Sequence, residues 1–186
     1  NLFFGLPFYH TGVRAAYPLS KKWTVALAGY NGWNSVVDNN AEKSLSAQLT
    51  YTHSELLALS FLYFGGVERA ESAPEGDPWR HLLDAHATWH VAPRLSLLLH
   101  ANAGFEPNNF GTSSWIASAL YARVQLLTPL FVVVRGDVFY EHKAGNAQGT
   151  ASPMFWPVSW VSSGTLTLDY RPHEQVSFRL ECRHDQ

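Results

Sequence analysis

Apolar and polar residues alternate along most of this chain with a period of two. In residues 95–105, Leu, Ala and Phe occupy one set of alternate positions, and Ser, His, Asn and Gly occupy the other, with Leu98 as the exception. Similar alternation occurs in 9–17, 45–53, 83–90 and 176–183. Successive side chains of a strand point to opposite faces of its sheet, so the pattern predicts strands with two unlike faces.

Ten strands are predicted by this criterion. They cover 8–17, 23–31, 43–53, 56–65, 80–90, 95–105, 115–125, 130–141, 158–170 and 175–184. A helix is the wrong interpretation of 95–105, because its apolar side chains would surround a helical projection instead of forming one stripe.

The connections between these strands alternate in length. The short ones are 18–22, 53–55, 91–94, 126–129 and 171–175, and the long ones, rich in Gly, Pro, Asn and Ser, are 31–42, 65–79, 106–114 and 141–157. This is typical of an antiparallel meander with a short-turn end and a long-loop end, as in transmembrane barrels. Propeller blades have similar hairpin spacing, but each blade needs four short strands and only two long ones are visible per repeat.

The two faces suit lipid on one side and water on the other. Only 15% of residues are charged, against about 25% in typical domains, whereas a soluble β-sandwich or lipocalin-like barrel carries Lys and Glu at many outward positions. The apolar positions are mostly Leu, Val and Ala, without the large-to-small variation of a packed interior. We therefore expect the apolar face to contact lipid and the polar face to line a wet lumen.

Aromatic residues with the apolar parity lie near both ends of the strands. We expect two membrane-interface girdles: Tyr17, Trp23, Tyr51, Trp89, Tyr170 and Phe178 near the short turns, and Tyr63, Phe105, Tyr140 and Trp160 near the long loops. Strands of about 9–11 residues cross a membrane when tilted, and a sheet in lipid must close. The predicted fold is an all-β, up-and-down antiparallel transmembrane β-barrel.

Composition excludes several other classes. The net charge of -2 and 46% apolar content are incompatible with disorder and with a basic nucleic-acid-binding surface. Cys182 is the single cysteine, which excludes an internal disulfide and a multi-cysteine zinc site.

The first and last predicted strands both have their free ends on the long-loop side, the start has no signal-peptide pattern, and the chain ends on polar residues. We expect 1–186 to be one β-barrel domain that is an internal part of a longer barrel.

Several short motifs resemble the Putative β-barrel porin-2 family of Gram-negative outer-membrane proteins, which has a similar "HTGV … NGW … DNN" opening. The corresponding residues are Pro7–Val13, Asn31-Gly32-Trp33, Asp38-Asn39-Asn40, Arg135-Gly136-Asp137 with Tyr140, and Arg179-Leu180-Glu181 with Arg183 and Asp185. The resemblance spans most of the chain and implies a porin-like role in the bacterial outer membrane, with no defined substrate.

Charged and polar residues of the polar parity are the predicted pore lining. They are Arg14, Asp84, His86, His100, Asn102, Arg123, Arg135, Asp137, Glu141, Asp169, Arg179, Glu181 and Arg183. Arg and acidic residues facing each other across a lumen set a transverse field, and they also brace a wall by offsetting each other's desolvation. The mixed signs argue against strong ion selectivity.

Histidines cluster on two neighbouring predicted strands. Asp84, His86 and His90 share one polar face, and the turn length places either Asp84 or His86 opposite His100. A hydrogen-bonded network is favoured over a metal site or a pH-sensitive lumen, so no metal or cofactor is expected. Catalysis is not expected either, because same-face residues such as Ser96, His100 and Asn102 point in parallel rather than converge.

Two loops remain open to interpretation. The apolar residues 154–157 are candidates for an inward constriction, a lipopolysaccharide contact or simple loop packing. The acidic segment 68–77 is expected to be a solvated loop, with cation binding as the weaker alternative. The predicted function is passive diffusion of small hydrophilic solutes or ions through a polar lumen, with membrane lipid and lipopolysaccharide as neighbours and no nucleic acid. The alternative is a structural or adhesive barrel with a blocked lumen.

Overall fold

Ten strands form a single antiparallel sheet, in chain order and without crossovers. The computed structural model describes residues 2–37, 40–153 and 159–186, apart from the side chain of Phe3. The strands of this sheet are β1 (Gly12–Pro18), β2 (Trp23–Tyr30), β3 (Ser44–His53), β4 (Leu57–Val67), β5 (Trp79–Ala92), β6 (Leu95–Asn108), β7 (Gly111–Leu127), β8 (Leu130–His142), β11 (Trp160–His173) and β12 (Val176–Asp185). A separate hairpin comprises β9 (Ala144–Asn146) and β10 (Gly149–Ala151).

Each strand is hydrogen-bonded to its neighbours in the chain order. The pairing of β6 with β7, for example, runs from Leu95 opposite Val124 to Asn108 opposite Gly111. Within the described residues, β1 and β12 form the two edges and are not paired with each other. The sheet is therefore an open segment of barrel wall. The described residues include no helix that is long and apolar enough to cross a membrane.

The two faces of this wall differ sharply in exposure. On the face with the apolar parity, Leu99 and Leu166 are 51% and 54% exposed. On the opposite face, Asn102 and Ala119 are only 4% and 1% exposed. We call these the outer face and the inner face. Exposed aliphatic side chains on one continuous surface are what a barrel presents to lipid.

The strands at the long-loop end are longer than predicted. The loop expected at 106–114 is a tight connection at Asn109 and Phe110, because β6 and β7 continue to Asn108 and from Gly111. Glu106 and Ser113 continue the alternation and are both fully buried on the inner face. The run of Pro, Asn, Gly and Ser was misleading, since these residues belong to a paired hairpin.

Two further boundaries differ from the prediction. The β1 strand begins at Gly12 instead of residue 8, and the preceding His10 ring stacks on Tyr30 with centroids 4.3 Å apart. The expected loop 141–157 contains the β9–β10 hairpin. The apolar residues 154–157, like Asp38 and Asn39 of the "DNN" motif, lie outside the described residues.

A charge placed on the outer face should be far more costly than one placed on the inner face at the same depth. Leu99→Arg should lower the free energy of unfolding by about 2–4 kcal/mol if this position lies near the bilayer midplane. Thr88→Arg is the matched control, since Thr88 lies on the inner face opposite Leu98. Urea unfolding in lipid vesicles measures both, and equal losses for the two variants would contradict the assigned facing.

Candidate functional site: the inner face of the barrel wall

Near the short-turn end, the inner face carries a group of arginines around one buried carboxylate. Asp169 accepts hydrogen bonds from Arg171 Nε at 2.9 Å and Nη2 at 2.7 Å, and Arg179 Nε lies 3.6 Å from its Oδ1. The guanidinium of Arg123 lies over the ring of Phe131, 3.9 Å from its centroid. We call Arg123, Asp169, Arg171 and Arg179 the arginine cluster, and its cations outnumber its one anion.

The sequence prediction missed Arg171 because it was assigned to a turn. In the structure β11 continues to His173, so Arg171 follows Asp169 by two residues and keeps the same face. Extending the alternation by one more step would have found it.

A second ion pair lies further along the inner face. Arg135 Nε is 2.8 Å from Asp137 Oδ2, and Ser163 donates a hydrogen bond of 2.7 Å to the same oxygen. The guanidinium of Arg135 also lies over Tyr121, 5.3 Å from its ring centroid. Arg135 and Asp137 both lie on β8, so their ion pair contributes charge to this face, and the hydrogen bond from Ser163 joins buried Asp137 to β11.

Besides Arg179, three predicted lining residues lie on the edge strands and are more exposed. Arg14 on β1 donates to Gln48 at 2.9 Å, Glu181 on β12 accepts from Thr167 at 3.1 Å, and Arg183 pairs with Asp185 at 2.7 Å. Their strands β1 and β12 are exposed along their whole length.

At the long-loop end, a buried ionic network includes residues that the sequence prediction missed. Glu106 is fully buried and pairs with Arg69 at 2.7 Å and with Arg80 at 2.8 Å. Arg69 also pairs with Glu75 at 3.1 Å and donates to the Ser152 carbonyl oxygen at 3.0 Å. The expectation of a purely solvated loop at 68–77 is therefore wrong for Arg69 and Glu75, because buried Glu106 requires cationic partners.

Glu141 belongs to the same end of the inner face. It is buried and accepts a hydrogen bond of 2.6 Å from Ser152, and Lys143 lies 3.7 Å away. Extending the alternation of β5 back to residue 80 and that of β6 on to residue 106 would have placed Arg80 and Glu106 on the inner face, at the same end as Glu141.

The histidine cluster lies at mid-height on the inner face. His86 is directly opposite His100, which settles the choice between the two registers that the turn length allowed. His100 Nε2 and Asp84 Oδ2 are 2.6 Å apart, and the rings of His86 and His100 meet edge to face with centroids 5.5 Å apart. His90 lies apart from this group, with its Nδ1 2.7 Å from Ser96 Oγ.

Ser96, His100 and Asn102 share the inner face of β6, and each is hydrogen-bonded to a different residue. Ser96 contacts His90, His100 contacts Asp84, and Asn102 donates to the Leu2 carbonyl oxygen at 3.3 Å. Each of the three has a different partner, as their parallel direction on one strand implies.

The inner face also contains an apolar cluster, which corrects the expectation of a uniformly polar lumen surface. Its buried members are Leu2, Phe64, Leu82, Trp115, Ala117, Ala119 and Phe139. The short 3₁₀ helix Leu2–Gly5 lies across the inner face, and Trp115 Nε1 donates to its Gly5 carbonyl oxygen at 3.1 Å. Phe4 packs edge to face on Phe139 at 5.8 Å. We call Leu2–Gly5 the inner segment.

Trp115 fits on the inner face because its cross-strand partner is Gly104. A β-carbon at Gly104 would overlap the indole ring of Trp115. Large residues opposite a glycine occur where a backbone must leave room for close approach. Gly104 therefore leaves room for the indole ring, and Trp115 Nε1 donates from there to the Gly5 carbonyl oxygen of the inner segment.

The predicted girdle residues all lie on the outer face. Neighbouring strands bring Trp23 and Tyr51 to 4.6 Å between ring centroids, and the Tyr63 hydroxyl lies 2.8 Å from His81 Nδ1. The other members are Tyr17, Trp89, Phe105, Tyr140, Trp160, Tyr170 and Phe178, all of them exposed. Their depth in a membrane stays a prediction.

An antiparallel meander with an aliphatic outer face, aromatic residues near both ends and a charged inner face is the wall of an outer-membrane β-barrel. The sequence profile described as "Putative beta-barrel porin-2, OmpL-like" matches residues 2–186, and the chain belongs to this family. This confirms the predicted family, fold class and outer-membrane location.

Among solved structures, the outer membrane channel DcaP of Acinetobacter baumannii is similar, with a TM-score of 0.71 and 12% sequence identity. The match covers 94% of this chain and 55% of that one, so this chain spans about half the length of DcaP. At this identity the likeness shows a shared fold. No curated protein matches the chain.

A methyl group added at Gly104 should lower the free energy of unfolding, whereas a methyl group added at Gly136 on the outer face should not. Gly104→Ala forces the Trp115 ring to shift, and overpacking of this kind costs about 1–3 kcal/mol. Gly136→Ala is the control, because a β-carbon there meets nothing within 4 Å and alanine in a strand is favoured over glycine by roughly 0.5–1 kcal/mol. Urea unfolding followed by tryptophan fluorescence compares them; a neutral Gly104→Ala would show that Trp115 is not held against Gly104.

Proposed function

We propose that this protein is a passive pore whose inner face filters small hydrophilic solutes and ions by size and charge. Membership of a porin family supports the general role. The observation that carries the finer proposal is the inner face itself, where ion pairs occur from the short-turn end to the long-loop end. Fixed charges along one wall polarise a water-filled lumen without any turnover.

The balance of charge differs along this path. The arginine cluster has three cations and one anion, whereas Arg69 and Arg80 at the other end are balanced by Glu75 and Glu106. Since cations and anions are interspersed along the wall, we propose weak overall selectivity with a local preference for anions at the arginine cluster.

A barrel with a blocked lumen is the second candidate, and the inner segment favours it. Leu2 is buried against the apolar cluster on the inner face, where it displaces water from part of the wall. In this case the long-loop end would present a surface to partners, and the ion pairs would serve only as bracing.

The outer face supports the proposed neighbours. Aromatic rings in two rows suit the headgroup levels of a bilayer, and the aliphatic residues between them suit acyl chains. Because long loops of outer-membrane barrels face outward, we propose that the row formed by Tyr63, Phe105, Tyr140 and Trp160 contacts lipopolysaccharide.

Removing the inner segment separates the two candidate functions. Under the pore proposal, the unaltered protein should conduct in planar bilayers. A variant lacking residues 2–5 should conduct more, because Leu2 and Phe4 no longer occupy the inner face. Current seen only in the shortened variant would establish the blocked barrel. No current above background in either form would contradict the pore.

Neutralising the one acid of the arginine cluster should favour anions. Asp169→Asn leaves Arg123, Arg171 and Arg179 uncompensated, and a change of one unit charge alters the local potential enough to shift the anion-to-cation permeability ratio by roughly twofold. Reversal potentials in a KCl gradient measure this ratio. Glu174→Gln, in the exposed turn after β11, is the matched control with the same charge change; equal shifts in both variants would mean that Asp169 does not face the conduction path.

A further inference from the structure

The histidine cluster brings three metal-ligating side chains together without any contribution from a loop. Asp84 and His86 project from β5 on the inner face, and His100 projects from β6 directly opposite His86. The ligand atoms of all three residues lie within 4.8 Å of one another. A continuous run of strand pairing from His81–Phe105 to His90–Ser96 holds them in this arrangement.

Hydrogen bonding accounts for only part of this cluster. Asp84 Oδ2 and His100 Nε2 satisfy each other at 2.6 Å. In the part of the chain that the structure describes, His86 has a ring contact with His100 and no side-chain hydrogen bond. A hydrogen-bonded network therefore leaves the imidazole nitrogens of His86 available for another partner.

The surroundings leave space for an ion. Ser60 is opposite His86, and Ala119 is opposite His100 on the other side, so both cross-strand neighbours are small. The side chains of His100 and Asp84 are mostly buried and keep 20% and 11% of their surface exposed, so the cluster is still reached from the lumen side. Asn102, the partner of Asp84 across the strands, is turned toward the inner segment by its hydrogen bond to Leu2.

We propose that Asp84, His86 and His100 bind one divalent transition-metal ion, with Zn²⁺ as the reference ion. Two imidazoles and one carboxylate are the ligand set of open zinc sites, in which water or solute takes the fourth position, whereas Mg²⁺ and Ca²⁺ prefer oxygen ligands alone. Ligands on one tetrahedral zinc ion lie about 3.3 Å apart for bonds of about 2.0–2.1 Å. Small side-chain rotations close a 4.8 Å cluster to this spacing, and the ion replaces the Asp84–His100 hydrogen bond.

The consequence for transport rests on the proposed function. Asp84 is the acidic member of this cluster. A bound dication would change the local charge on the inner face from negative to positive. In a conducting pore, Zn²⁺ should therefore reduce cation current at concentrations that occupy the site.

Direct binding tests the site independently of conduction. In detergent micelles, titration calorimetry should show one Zn²⁺ bound per chain, with affinity reduced more than about tenfold in His86→Asn and in His100→Asn, since even changes around a ligand cost 10–100-fold. His90→Asn is the matched control, on the same strand and face but opposite Ser96. Unchanged affinity in the first two variants, or an equal loss in His90→Asn, would overturn the proposal.

A measurement on the unaltered protein removes any dependence on the folding of the variants. Zn²⁺ should protect His86 and His100, and not His90, from modification by diethyl pyrocarbonate, as mapped by mass spectrometry. Absence of protection at His86 and His100 would refute the site. Zn²⁺ binding without any bilayer current would support the metal site and contradict the pore. Bilayer current without Zn²⁺ binding would support the pore and contradict the metal site.

Discussion

Inside a bilayer no water is present to satisfy backbone N–H and C=O groups, so every strand must be hydrogen-bonded along its length. The pairing must also keep one register, which the alternating apolar pattern sets, because a slip of one residue would turn the entire outer face inward. The pairing of β6 with β7, unbroken from Leu95 to Asn108, shows how far a single register extends. All the other features of this wall depend on it: the lipid-facing aliphatics, the ion pairs, and the placement of Trp115 against Gly104.

The same requirement explains which parts of the structure could be predicted. Alternation with a period of two propagates across neighbouring strands, so ten strands and the facing of their central residues followed from the sequence. It does not reveal where a strand ends when the residues at its tip are polar, which is why the hairpin at Asn109 and the partners of Glu106 were missed. The length of the turn could not show whether Asp84 or His86 lies opposite His100, because both registers keep the polar side chains on the same face.

The apolar cluster on the inner face could not be predicted for a different reason. Phe64, Leu82, Trp115 and Phe139 occupy positions of the polar parity, on four different strands. Each one alone looks like a single exception to the alternation, and only the strand order brings them together. Their burial also depends on the inner segment, which comes from a part of the chain with no periodic pattern.

The 17-residue strand β7 has a consequence for where a solute first meets the protein. At about 3.4 Å per residue it is roughly 58 Å long, and a tilt of about 45° leaves a height near 40 Å, against an apolar band of about 25 Å. About 15 Å of this wall therefore stands clear of the hydrocarbon. In the proposed pore, an excess at the long-loop end would make Arg80 and Glu106 the collar of a vestibule, and dehydration and sorting of a solute would begin before it reaches the depth of the membrane.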